Sequence, residues 1–164
     1  MAFSLDAFPD GNVVFLDANV FLLHYWGRSA SCSRLIERIE TGVIQGATST
    51  TVLSEVTHRL LITEAISHRP TIVRHPIRYL KHHPALVRSL THTHLLLDRM
   101  TRLPLRVLTL TPLLWHHATR ISHTLGLLMN DAITVDCLRR LRLRHLASAD
   151  KDFRKIPRLT IWTP

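Results

Sequence analysis

Five of the twelve acidic residues in this 164-residue chain stand where carboxylates do chemistry rather than coat a surface. Asp17 closes the apolar run 13–16, and Asp150 follows a second such run at 145–149. Asp152 lies two residues beyond Asp150, Asp131 opens a helical stretch, and Glu55 falls in the early turns of another. In open α/β sheets, ligands collect at the carboxyl ends of parallel strands and at the helix starts that follow them. A parallel sheet therefore draws these acids from distant parts of the sequence to one edge. Like charges held that close repel and raise one another's pKa unless a cation neutralises them. Oxygen donors select a hard ion, Mg2+ with Mn2+ as a substitute, and Mg2+ takes one or two carboxylates directly and keeps several waters. Taken singly, Asp17, Asp131 and Asp150 also read as turn or cap residues, and Glu55 as part of a solvated helix face. The conjunction of the five is what points to a metal site.

The elements needed to position them are legible as an alternation of short apolar runs and longer helical stretches, which is the α/β pattern with a mainly parallel sheet. Residues 12–16 follow the turn sequence Pro9-Asp10-Gly11-Asn12 and read as a buried strand. A helix is expected over 33–40, with Leu35, Ile36 and Ile39 on one face and Thr41-Gly42 as its stop. Residues 43–48 form the next strand, and Ser49-Thr50-Thr51 caps a long helix through Val52, Val56 and Leu60. Pro70, Pro76, Pro84 and Pro104 limit 66–104 to short helices, of which 85–102 is the longest. A strand at 106–111, a helix from Pro112 to Gly126, a helix from 131 to 142 capped by Asn130, and strands at 145–149 and 159–162 complete the chain.

Charge supplies the partner class. The chain carries 21 Lys and Arg against 12 acids, a net charge of +9, and 18 of those cations are Arg, which forks onto phosphate and stacks on bases. No acid occurs between Glu64 and Asp98, while Arg69, Arg74, Arg78, Lys81 and Arg88 lie there with six histidines. These residues, together with Arg139, Arg140, Arg142 and Arg144, are the candidates for a rim that binds a nucleic-acid backbone; a solvated helix face is the alternative for each. No apolar stretch approaches the ~20 residues that span a bilayer, and the first 23 residues hold three Asp and no cation, unlike the basic start of a signal peptide. With two widely spaced cysteines, Cys32 and Cys137, and no CxxC pair, the expectation is a cytoplasmic protein with both thiols buried. The twelve histidines offer no HExxH, and neighbours such as His82-His83 and His116-His117 point apart, which argues against a zinc site.

Four ordered motifs carry a family resemblance: Val14-Phe15-Leu16-Asp17-Ala18-Asn19, Thr50-Thr51-Val52-Leu53-Ser54-Glu55-Val56, Asn130-Asp131-Ala132-Ile133-Thr134-Val135, and Leu146-Ala147-Ser148-Ala149-Asp150-Lys151-Asp152-Phe153. Together they resemble the PIN domain, in particular the VapC-type ribonuclease toxins of prokaryotic toxin–antitoxin pairs. The resemblance implies a three-layer α/β/α sandwich around a central, mainly parallel β-sheet. It implies one PIN-like domain over residues 1–164, with a basic, largely helical insertion rich in His, Arg and Pro at about 66–104. Asp17, Asp131, Asp150 and Asp152 then match the metal-binding acids, and Asp17, Glu55, Asp131 and Asp150 the catalytic set, with Asn19, Ser54 and Asn130 as supporting polar residues. Ala18 departs from the Thr or Ser common at that place, and the insertion is longer than in the short toxins. The activity implied is Mg2+-dependent endonucleolytic hydrolysis of RNA by a cytoplasmic toxin, with a cognate antitoxin and a homodimer as partners. A PIN nuclease of RNA processing and a catalytically silent RNA- or protein-binding module remain the alternatives. An aspartyl-nucleophile phosphatase is disfavoured, because it needs an acid two residues after Asp17, where Asn19 stands.

Overall fold

A computed structural model describes residues 2–164. Six strands, β1 (Ala2–Ser4), β2 (Val13–Leu16), β3 (Gln45–Ser49), β4 (Leu105–Leu108), β5 (His145–Ala147) and β6 (Thr160–Thr163), form one sheet in the order β1-β6-β5-β2-β3-β4. Every pairing is parallel. The chain divides into two compact units: one holds the sequence up to Leu53 and from Pro104 onwards, the other is Ser54–Leu103.

The first unit contains the sheet. Val14, Phe15 and Leu16 are wholly buried, as a central parallel strand covered on both faces requires. Helix α1 (Ala18–Tyr25) starts immediately after β2, and α2 (Ala30–Glu40) is capped by Ser29, whose hydroxyl accepts from the Cys32 N–H. Cys32, Leu35, Ile36 and Ile39 form the buried face of α2. In β3, a Cβ on Gly46 would come within 2.4 Å of Leu105 Cδ2 and 3.0 Å of Ile39 Cδ1, so only glycine lets those side chains close over the strand. After β4, helix α7 (Pro112–Leu125) is capped by Thr111 and ended by Gly126 in the left-handed region, and it packs along α8 (Met129–Leu141). Parallel crossovers are right-handed. The chain winds from β2 outward to β4 and then returns past β2 to β5, so α1 and α2 cover one face of the sheet and α7 and α8 the other.

The second unit is helical. Helix α3 (Thr50–His68) runs into it from the first and is followed by a 3-10 turn at Pro70–Ile72, then α4 (Pro76–His82), α5 (Pro84–Ser89) and α6 (Thr91–Thr101). Pro70, Pro76 and Pro84 each open an element, where a missing N–H costs nothing. Ala65, Ile72 and Leu90 form the core of this unit, with Leu61, Ile66, Tyr79, Leu80 and Leu86 packed around them.

The structure departs from the sequence reading in several places; the helix expected over 33–40 begins at Ala30, and the strand expected over 43–48 begins only at Gln45. The helix expected over 85–102 is two helices, because Leu90 leaves helical geometry to bury its side chain completely in this small core. The helix expected from 131 begins at Met129, with Leu128 rather than Asn130 in the capping position. Strands expected over 106–111 and 145–149 stop at Leu108 and Ala147. Helix α1 was not anticipated: Ala18, Val20, Phe21 and Leu22 are all buried, so no polar stripe announces a helical period. Both cysteines are free and buried, as expected. Among the described residues, no helix is long and apolar enough to cross a membrane.

Candidate metal centre

Strand order reverses between β2 and β5, which lie side by side while their onward connections leave in opposite directions. A crevice opens at such a switch point, beyond the carboxyl ends of the two strands. Asp17 is the residue that ends β2. It caps α1, its Oδ1 accepting the Ala18 N–H at 2.8 Å, while its own N–H donates to the Ala147 carbonyl at 3.1 Å across the strand pair. Its Oδ2 accepts from the Ser148 hydroxyl at 2.7 Å and from the Asn19 amide.

Ser148 is fully buried at the end of β5 and joins the two strand ends. Besides donating to Asp17, its Oγ accepts from Asn19 Nδ2 at 3.1 Å and from the Asp150 N–H at 3.0 Å. Asn19 Oδ1 in turn accepts the Ala149 N–H at 2.9 Å. The loop after β5 is thus held on both sides by the residues that open α1. Asp150 accepts the Asp152 N–H at 2.8 Å and caps a 3-10 turn, Lys151–Lys155, whose Phe153 is buried.

This turn presents two carboxylates, and α8 brings a third. Asp131 lies in the first turn of α8, and oxygens of Asp131, Asp150 and Asp152 all lie within 4.8 Å of one another. Among the described residues it is the one group of three or more potential ligands close enough to share an ion, and no histidine or cysteine joins it. The donor chemistry fits Mg2+ or Mn2+ and does not fit a soft or imidazole-seeking metal.

The remaining sequence candidates are placed as follows. Asn130 is exposed in the first turn of α8. Ser54 and Glu55 belong to α3 in the second unit, where Glu55 Oε1 lies 3.8 Å from Arg59 one turn on. Arg69, Arg74, Arg78 and Lys81 are exposed in that same unit. Arg139 is exposed in the last turn of α8 and lines a cavity of about 420 Å3 with Arg144 and Arg158. Arg140 is committed elsewhere: its Nε donates to Asp136 Oδ2 at 2.7 Å, and its terminal nitrogen lies 3.0 Å from His117 Nδ1. Sequence reading passed over Ser148 as an individual residue. A hydroxyl directly after a short strand, two residues before an acid, is the signal it offers.

The chain matches the PIN domain model over residues 14–159 and belongs to the PIN domain family. No curated protein matches it in sequence. Its fold is similar to that of a chain from Rickettsia felis VapBC2 solved with a DNA fragment from its promoter, with a TM-score of 0.60 and 14% identity over 92% of this chain and 98% of that one. It is likewise similar to a chain from a Klebsiella pneumoniae toxin–antitoxin complex, with a TM-score of 0.54 and 16% identity over 89% of this chain and 94% of the other.

Proposed function

We propose that this PIN-domain chain is a metal-dependent endoribonuclease and the toxin of a toxin–antitoxin pair. The observation that carries the reading is the meeting of Asp131, Asp150 and Asp152 beside the switch point of a parallel sheet, tied through Ser148 to Asp17. Asp17, Asp131, Asp150 and Asp152 are the proposed ligands of Mg2+, for which Mn2+ can substitute. When bound, that ion supplies charge neutralisation at a phosphoryl oxygen and a water of lowered pKa. Ser148 and Asn19 fix the orientation of the Asp17 carboxylate. Glu55 matches the family's helix-borne glutamate and is a proposed catalytic residue on that ground. No side chain is required as a covalent nucleophile.

A nucleic-acid substrate is favoured by the charge distribution, and RNA is the one the family resemblance implies. Setting the five candidate acids aside leaves 21 cations against 7 acids, a surplus of 14 on the rest of the chain. Such a body attracts a polyanion while the acidic edge awaits a cation. Both structures cited for their similar fold come from toxin–antitoxin assemblies, which supports an antitoxin partner here; a homodimer is what the family resemblance implies.

Cleavage of end-labelled RNA with Mg2+, Mn2+ or EDTA tests the reading. Purified chain should cut with either ion and stop in EDTA, and Asp17→Asn, Asp131→Asn and Glu55→Gln should each lower the rate about 100-fold or more while circular dichroism is unchanged. Undiminished cleavage by Asp17→Asn and Asp131→Asn would remove the proposed centre.

A further inference from the structure

The second unit holds a basic, ring-lined cavity that the acidic centre leaves unused. Tyr79 of α4 and His83 stack face to face, their centroids 3.7 Å apart and their planes 6° from parallel. His83 Nδ1 lies 2.8 Å from the Tyr79 carbonyl oxygen, which fixes the ring in that pose with Nδ1 carrying its proton. The Arg69 guanidinium lies 5.1 Å from the centroid of the Tyr79 ring, within cation–π range. These three residues and Arg88 line a cavity of about 450 Å3, within the size range of small-ligand sites. No acid lines it. The acid nearest in sequence, Glu64, has a side chain only 6% exposed; its two oxygens accept the His92 and Thr93 N–H groups, and its Oε1 lies 3.9 Å from Nε2 of His68, another residue of the lining. The guanidinium charge of Arg69 and Arg88 is what the cavity offers an external anion.

Spread lysines would suit any polyanion. Planar rings beside forked guanidinium groups suit one made of phosphates and flat bases. We propose that this cavity is a nucleotide subsite for single-stranded RNA, in which Arg69 and Arg88 take a backbone phosphate and the exposed His83 ring, held flat on Tyr79, stacks an unpaired base. The proposal rests on the ribonuclease reading and adds a place, away from the acids, where the chain holds its substrate. It requires single-stranded RNA because a base inside a duplex cannot leave its neighbours to meet the ring.

The test uses the full chain carrying Asp131→Asn, in EDTA, with a fluorescein-labelled twelve-nucleotide oligouridylate read by anisotropy across a salt series. His83→Leu should weaken binding roughly tenfold without changing the salt dependence, and His83→Tyr should restore it. Arg69→Gln and Arg88→Gln should each weaken binding several-fold and lower the slope of log Kd against log salt by about 0.7, the value for one single-strand phosphate contact. Arg120→Gln, an equal loss of charge on α7, should change Kd less than twofold. The subsite is overturned by unaltered binding in His83→Leu, by an Arg120→Gln effect as large as that of Arg69→Gln, by equal affinity for a duplex of the same length, or by no binding at all. Cleavage by the unmodified chain is scored separately. RNA cut normally with His83→Leu binding unchanged sinks the subsite alone, whereas cavity-dependent binding without cleavage sinks the ribonuclease reading and leaves the subsite standing.

Discussion

Ser148 has one proton and two lone pairs, and all three are used: the proton goes to Asp17, and the lone pairs receive Asn19 and the Asp150 N–H. Groups that orient a ligand without touching the ion are worth roughly 10–100-fold in metal affinity or activity. Ser148→Ala should therefore lower RNA cleavage by that factor, with a stability loss of only about 1–2 kcal/mol, read from steady-state rates and urea unfolding side by side. A large stability loss with normal turnover per folded molecule would make Ser148 a packing residue only. Arg140 shows the opposite lesson at the same scale. Exposed as the sequence suggests, it is also bonded to buried Asp136 and lies beside His117, so part of its guanidinium is already engaged within the protein.

At the scale of elements, α6 shows how a start signal can come from far away. Leu90 in its capping position offers no side-chain bond, and the N–H groups of His92 and Thr93 are satisfied by Glu64, 28 and 29 residues earlier. Burial by itself would raise the Glu64 pKa, but the hydrogen bonds from Thr93 and His92, with His68 nearby, more than reverse that, and the group titrates below the ordinary glutamate range. A lowered folded pKa means stability that is present above the unfolded value and lost as pH falls through the folded one. Glu64→Gln should thus cost about 2 kcal/mol near pH 7, and the difference from the parent should shrink when denaturation is repeated below pH ~4.5. The same contact explains why the break at Leu90 was illegible: the residues 85–102 alternate like one helix, and the group that divides them is distant in sequence. Strand β2 was legible because a short apolar run ends in turn chemistry, whereas the apolar pair Val43–Ile44 that announced the next strand lies just before β3 itself. Helix α1, buried all round, and β1, three exposed residues at the sheet edge, carry no periodic signature. The acids of the candidate site were legible because their types are unusual at strand ends, whereas the serine joining them is ordinary there.

For the molecule as a whole, pH acts on the sheet through two shielded imidazoles. His24 is lowered by burial, with Glu40 opposing, and its Nδ1 lies 3.1 Å from the Ser33 hydroxyl. His145, at the start of β5, is lowered by burial and accepts from Trp162 Nε1 at 3.1 Å, a bond that needs an unprotonated Nδ1. Folding here favours the neutral rings, so stability is held above their ordinary pKa near 6.5 and falls as pH drops through the lower folded values. Protonation also adds to a surplus that already stands at +9. The melting temperature should decline between pH 7.5 and 5.5, and His145→Gln, which can still accept from Trp162, should flatten that decline; a pH-independent melting temperature in the parent would exclude the effect.

The pairing of β3 directly with β4 has a consequence for how such a chain can change over generations. Everything between Ser49 and Leu105 is a single crossover returning to the neighbouring strand, and closing a connection twice as long costs only about 0.6 kcal/mol more. Length is therefore almost invisible to the sheet. Insertions and deletions beyond the first turns of α3, which carry Glu55, can accumulate without shifting the register of β2 against β5, on which the spacing of Asp17 and Asp150 depends. That part of the crossover is where descendants of one ancestral PIN domain are freest to diverge while the ends of β2 and β5 stay aligned.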